Sequence, residues 1–235
     1  MLAGSMGPTK QKAARLVVDL ASTAGASEFI EVENAHVSGV SVITGGHGLR
    51  RFLADLSGDP EGKVTIPTTL NSAGCDHQKM DEMGIDHPDF LEQQFEIVHA
   101  YSELGIEAIL SCTPYDRGIE DDEGIGSWAE SNAVCFSNSY TSLITNRESG
   151  LSALATALTG WAPKWGLHLD ENRVPNILVN VECIMSDPTD WSILGDWIGK
   201  QIRPEWSLPW GPMPRITGLP DWASFEMRKA LTAAA

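Results

Sequence analysis

The feature that most constrains this chain is an alternation of two hydrophobic periods. Residues 10–23 repeat apolar side chains at helical spacing, with Leu16, Val17, Leu20 and Ala21 on one face. Residues 28–33 (EFIEVE) then alternate as a strand does. Residues 47–56 predict a helix and 63–66 a strand that ends at Pro67. A long helix is expected over 89–104, stopped by Gly105, followed by a short buried strand over 106–110. Residues 116–126 (DRGIEDDEGIG) read as a polar loop. Helices are expected within 127–138 and over 148–159, and a strand over 176–181. Strands separated by helices must cross over, so the pattern predicts an α/β fold with a parallel sheet flanked by helices.

The last third differs. Every tryptophan except Trp128 lies between Trp161 and Trp222, and residues 204–214 (PEWSLPWGPMP) hold too many prolines for regular helix or sheet. That stretch reads as a packing corner or a cover over another surface. Residues 215–235 start a new strand-and-helix pattern that ends without a C-cap glycine or polar tail, as an interrupted unit would.

Composition narrows the function classes. With 42% hydrophobic and 20% charged residues, the chain can bury a sizeable core. A net charge of −16 with no cluster of Lys and Arg argues against nucleic acid as a partner. There is no apolar run long enough to cross a membrane, and no apolar stretch of signal-peptide length behind the first residues, so a cytoplasmic location is expected. The four cysteines, Cys75, Cys112, Cys135 and Cys183, form no CxxC pair, and in a reducing compartment disulfides are not expected. GxGxxG, Walker, HExxH and GxSxG motifs are all missing.

In a parallel sheet, ligands bind beyond the carboxyl ends of the strands. Four segments after expected strands carry small polar residues. In NAHVSGVS, Gly39 permits close backbone approach and Ser38 and Ser41 offer donors, although the segment also reads as a turn. PTTLNSAG, with Asn71 and Ser72, forms either an anion-binding nest or a common turn. In SCTPY, Cys112 is placed either as a metal ligand or as a buried cysteine at a strand end. WAESNAV sets Glu130, Ser131 and Asn132 near a helix start, where free amides favour anions. Arg147 either clamps a carboxylate or phosphate or forms a surface ion pair. GLHLDENR adds His168, Glu171 and Arg173 as supporting polar groups.

The series HVSGVS, PTTLN, SCTPY, WAESNAV, TNR and GLHLDENR, in this order and at these spacings, resembles the aconitase X family from about Glu31 to Val181, and more weakly into RITGLP. The resemblance implies aconitase-like parallel sheet layers, incomplete at the C-terminal side, and a hydro-lyase in which an iron–sulfur cluster, of the 4Fe-4S type, acts as Lewis acid. It implies a small anionic hydroxy acid as substrate, with mevalonate 5-phosphate leading and cis-3-hydroxyproline as the alternative. It further implies a small swivelling subunit as partner, isoprenoid biosynthesis as the setting of the leading branch, Cys112 as a cluster ligand, and Gly39, Val40, Ser41, Asn71, Ser72, Ser131 and Asn132 at substrate-binding positions. The general base is not assigned. The family uses three cluster cysteines, and the other two have no counterpart here, so the chain is expected to be an N-terminal portion of a large subunit that does not hold a complete cluster alone. A non-catalytic anion-binding or subunit-interaction module is the competing expectation. The expected organisation is a helical segment over 1–27, an aconitase-X-like α/β domain over 28–202, and a Pro/Trp-rich connection leading into a further α/β unit over 203–235.

Overall fold

The computed structural model describes residues 1–76, 78–80, 82–84, 88–117, 123–202 and 212–235. The central feature is a parallel sheet in the order β3 (Thr68–Leu70), β2 (Asn34–Val37), β4 (Glu123–Trp128), β5 (Ser142–Arg147). The chain leaves β2 for β3 on one side and returns to place β4 on the other. The carboxyl ends of β2 and β4 therefore flank a topological switch point, where an open parallel sheet leaves a crevice for a ligand.

The helices follow from local signals. The helix α1 (Pro8–Ala24) starts on a proline already fixed at helical φ, and ends at Gly25 in the left-handed region. Between β2 and β3, α2 (Val42–Ser57) is capped by Ser41 and bends where Gly46 leaves helical geometry. It packs on α3 (Pro88–Glu103), with Leu53, Leu56, Ile97 and Leu104 buried together with Leu70 and Val37. The helix α4 (Ser131–Tyr140) follows β4 directly. After β5, α5 (Gly150–Thr159) is almost entirely buried, which its small side chains permit, and lies between α1 and β2.

A separate antiparallel pair joins β1 (Phe29–Glu31) to β6 (Trp161–Pro163). A second parallel sheet contains β7 (Ile177–Asn180) and β8 (Pro214–Thr217). It packs with α6 (Pro188–Gln201) and α7 (Phe225–Ala234) around Val181, Met185, Trp191, Ile198 and Leu231. The fold is α/β with parallel strands and flanking helices.

Several boundaries differ from expectation, each for a physical reason. The alternating stretch 28–33 gives the half-exposed β1, whereas the central strand β2 is the neighbouring NAHV, expected as loop. Its polar side chains find partners inside the sheet: Trp128 Nε1 donates to Asn34 Oδ1 at 2.7 Å, and His36 Nδ1 lies 2.8 Å from Thr69 Oγ1. Residues 63–66 are not a strand; Val64 N and Thr65 N donate to Leu104 O and Ala157 O, and the strand comes after Pro67. The strand expected over 106–110 is a single bridge from Glu107 to Thr69. The loop expected over 116–126 gives way to β4 from Glu123 onward, and its residues 118–122 lie outside the described residues. The helix expected within 127–138 starts at Ser131, and β5 was not expected at all. Most of the Pro/Trp stretch, residues 204–211, also lies outside the described residues.

Candidate active site

Each loop at the switch point is built by a specific local device. After β2 the chain turns through Gly39 at φ 81°, a left-handed conformation that suits glycine. The turn lies against the start of α5, where a Cβ on Gly150 would come 2.2 Å from Ser38 O. Val40 is buried, and Ser41 Oγ accepts from Ile43 N at 3.2 Å. After β3, Asn71 N still donates to Val37 O, so the Asn71 side chain stays at the sheet's edge and is buried. Ser72 and Gly39 are exposed.

Gln94, fully buried on α3, ties these two loops together. Its Oε1 accepts from Val42 N at 3.0 Å and Gly74 N at 3.1 Å, and its Nε2 donates to Val40 O at 2.9 Å. A buried glutamine satisfying three main-chain groups fixes the spacing of both loops, since each of those groups would be costly to leave unpaired.

The other two loops meet the first pair through side chains. Asn71 Nδ2 donates to Glu130 Oε2 at 2.9 Å. The other carboxylate oxygen, Oε1, accepts from Asn132 Nδ2 at 3.3 Å and Ser131 Oγ at 3.4 Å. Asn132 Nδ2 also reaches Cys112 O at 3.2 Å, and Tyr115 OH donates to Asn132 Oδ1 at 2.8 Å. Tyr115 is buried, stacked on Phe136 with centroids 4.0 Å apart, and burial pushes its phenol well above the usual range, so it stays a donor. Ser72 Oγ lies 3.1 Å from Cys112 Sγ, and the thiol is half-buried. Asn71, Ser72, Cys112, Glu130, Ser131 and Asn132 thus form one hydrogen-bonded group, with Gly39 to Ser41 alongside it through Gln94.

Arg147 is exposed at the end of β5 and stands apart from that bonded group. His168 is buried elsewhere: it hydrogen-bonds with Asn146 at 3.3 Å and Pro163 O at 3.1 Å. Arg173 lies 3.9 Å from Asp170, and Glu171 is exposed.

Two polar residues near the tips were missed by sequence reasoning. His36 is fully buried in β2, edge-on to Trp128, and desolvation pushes its imidazole down to about 4, with the nearby Glu130 carboxylate and the Asn71 amide opposing. It is therefore neutral at neutral pH. Both His36 Nε2 and Asn71 Oδ1 are buried, with no well-formed hydrogen bond among the described residues. Glu148, next to Arg147, has its carboxyl pushed up by burial, with Ser152 opposing. A histidine in a short uniform run and a glutamate before a helix carry no sequence signal that sets them apart. Gln94 likewise reads as one polar position on a helix.

A cleft of about 550 Å³ opens at the other end of the sheet, among Glu33, Asn34, Pro67, Glu107, Arg117 and Glu123. Its one arginine already pairs with Glu107 at 2.5 Å, so its acidic lining suits an anion poorly.

An iron–sulfur cluster requires several thiolate ligands. Cys112 is placed among polar groups and half-exposed, as a ligand would be. Cys75 is buried and Cys135 half-buried, each with its thiol pushed up by burial, and Cys183 is exposed. Among the described residues no three His, Cys, Asp or Glu side chains come together in a way that could hold a metal ion. One thiol fits; a three-cysteine set does not. Also among the described residues, no helix is long and apolar enough to cross a membrane.

Comparison with known proteins agrees with this architecture. The family described as Aconitase X first domain matches residues 1–171. The phosphomevalonate dehydratase large subunit of Methanosarcina mazei is 40% identical over 204 residues, covering 86% of this chain and 50% of that protein. The cis-3-hydroxy-L-proline dehydratase of Pseudomonas aeruginosa is 35% identical over 224 residues, covering 93% of this chain and 36% of that protein. The holo-form crystal structure of Thermococcus kodakaraensis aconitase X superimposes with a TM-score of 0.82 at 36% identity, over 99% of this chain and 56% of that one. The chain spans half or less of the length of these two curated relatives. With a family match over most of its length and the same fold at this identity, the chain belongs to the aconitase X family.

Proposed function

We propose that this chain is the substrate-holding part of an aconitase X hydro-lyase large subunit, acting on mevalonate 5-phosphate. The observation that carries the reading is the hydrogen-bonded convergence of Asn71, Ser72, Cys112, Glu130, Ser131 and Asn132 at the switch point. Support for the substrate comes from the relatives: the phosphomevalonate dehydratase large subunits of Methanosarcina mazei and Thermococcus kodakarensis share 40% and 38% identity with it.

The division of labour follows from chemistry. A net charge of −16 repels a phosphate ester at long range, so binding must come from short-range donors. Ser72 and Ser131 hydroxyls and the amides of Gly39 to Ser41 supply them at the crevice, with the Arg147 guanidinium at the end of β5 as the cationic complement. Glu130 orients the Asn71 and Asn132 amides, and Tyr115 fixes the second of these from below. Cys112 offers one thiolate, the donor an iron–sulfur cluster requires, while the remaining ligands have no match among the described residues. The name large subunit carried by the Methanosarcina mazei relative supports a small-subunit partner as part of the same reading.

A second reading has its own support: the cis-3-hydroxy-L-proline dehydratase of Pseudomonas aeruginosa aligns over more of the chain, 93% against 86%. The test is an amide-resolved NMR titration of the chain with mevalonate 5-phosphate and, separately, cis-3-hydroxy-L-proline. Shifts are expected at Val40, Ser41, Ser72 and Ser131 with the phosphate ester, and about tenfold or greater weakening in the Ser72→Ala/Ser131→Ala double variant. Shifts with the amino acid alone would select the second reading, and no shifts with either at millimolar concentration would reject both.

A further inference from the structure

Among the described residues, the second sheet leaves an edge and a helix face without partners. Ile177 N in β7 and Val181 N just after it donate to Met213 O and Thr217 O, across the register that pairs Val179 with Ile216. Main-chain groups alternate in direction along a parallel strand, so those of Leu178 and Asn180 point away from β8. Among the described residues no strand pairs with that edge. Parallel strands occur almost always in larger sheets with both faces covered, and a two-stranded sheet is marginal by itself.

Beside this edge runs an apolar groove of about 440 Å³, between the segment after β7 and one side of α6. The helix uses its other side to bind α7: Trp191 and Ile198 are buried, and a Cβ on Gly195 would lie 2.2 Å from Leu231 O. That leaves Ile193 at 63% exposure and Trp197 at 52%, one helical turn apart, with Ile184 at 91% across the groove. Large apolar groups grouped beside an unpaired strand edge mark an interaction surface rather than a solvated face.

We infer that the free edge of β7 and the Ile193/Trp197 face of α6 are the seat of the complementary half of an aconitase X large subunit, which adds a strand beside β7 and covers the groove. The occupant is indicated by length. The matched structure pairs 99% of this chain, the β7–β8 sheet included, with 56% of its own, so the remaining part of such a chain must lie against the unit matched here. A strand added at β7 satisfies Leu178 and Asn180 and buries Ile184, Ile193 and Trp197 at once. The inference rests on the reading of this chain as part of a large subunit.

The test is co-expression of the full chain with a polypeptide containing the part of the Methanosarcina mazei large subunit that it does not match. The expected result is one soluble complex in which exchange at the Leu178 and Asn180 amides slows at least tenfold relative to the chain alone. Ile193→Asp and Trp197→Asp are expected to weaken association about 30-fold or more, whereas Val18→Asp on the exposed side of α1 leaves it unchanged. A complex that leaves those amides unprotected, or no complex at all, overturns the inference. So does a homodimer of the chain alone that Trp197→Asp dissociates, since the occupant would then be a second copy. Phosphate-ester binding by the Trp197→Asp chain separates the two claims: its retention leaves the proposed function standing whichever way the docking test falls.

Discussion

The two parallel sheets of this molecule are finished to different degrees. In the β3-β2-β4-β5 sheet, β2 has a strand on either side, α5 lies on one face, and the strand-tip loops are tied to one another by Gln94, Asn71 and Glu130. In the β7–β8 sheet, β7 has one neighbouring strand among the described residues, and Leu178 is exposed at 68%. The first sheet carries a site whose geometry is set within the chain. The second is held by α6 and α7, and among the described residues one edge of β7 carries no strand. The core beneath the strand-tip loops does not include the exposed surfaces of α6 and the second sheet.

The largest effects should separate the two. Leu70→Ala removes a fully buried side chain beneath the site and is expected to cost about 2–5 kcal/mol in urea unfolding, whereas Ile193→Ala on the open face should change stability by no more than about 0.5 kcal/mol. Equal losses would break the comparison.

Acid should weaken the first sheet through His36. His36 is held down to about 4 in the folded chain, against an ordinary value near 6.5 when unfolded. Between those values the unfolded chain binds the extra proton, so the contribution is fully present above about 6.5 and is lost as pH falls toward 4. Wild type should lose about 3 kcal/mol relative to His36→Gln between pH 7.5 and pH 4, at about 1.4 kcal/mol per unit. A constant difference would mean that His36 is not sequestered.

A smaller effect tests the frame around the site. Ser149 and Ser152 form a capping box at the start of α5, beside the Ser38–Gly39 turn. Ser149→Ala should cost about 1 kcal/mol by thermal unfolding. No loss would show that burial of α5 alone holds that end in place.

Much of this was legible in the sequence, and the failures have a common cause. Amphipathic helices with a solvent face, such as α1 and α3, show their period plainly. The central strands do not, because a strand covered on both faces need not alternate; NAHV and TTL carry polar side chains that the sheet itself satisfies, and they read as loop. The tip residues could be named from polar type and position after a strand, aided by the family resemblance. Their wiring could not: Gln94 is one polar residue on a helix, and His36 one residue in a short strand, until tertiary contacts bring them beneath the loops.

On the proposed reading, this chain holds substrate with its strand-tip loops but supplies only part of a cluster site. The measurement that tests it most directly is iron and acid-labile sulfide per chain after anaerobic reconstitution, for the chain alone, for its complex with the complementary half, and for Cys112→Ser in that complex. The expected result is no stoichiometric cluster on the chain alone, a stoichiometric cluster in the complex, and its loss in Cys112→Ser. A stoichiometric cluster on the chain alone, or one indifferent to Cys112, would contradict it.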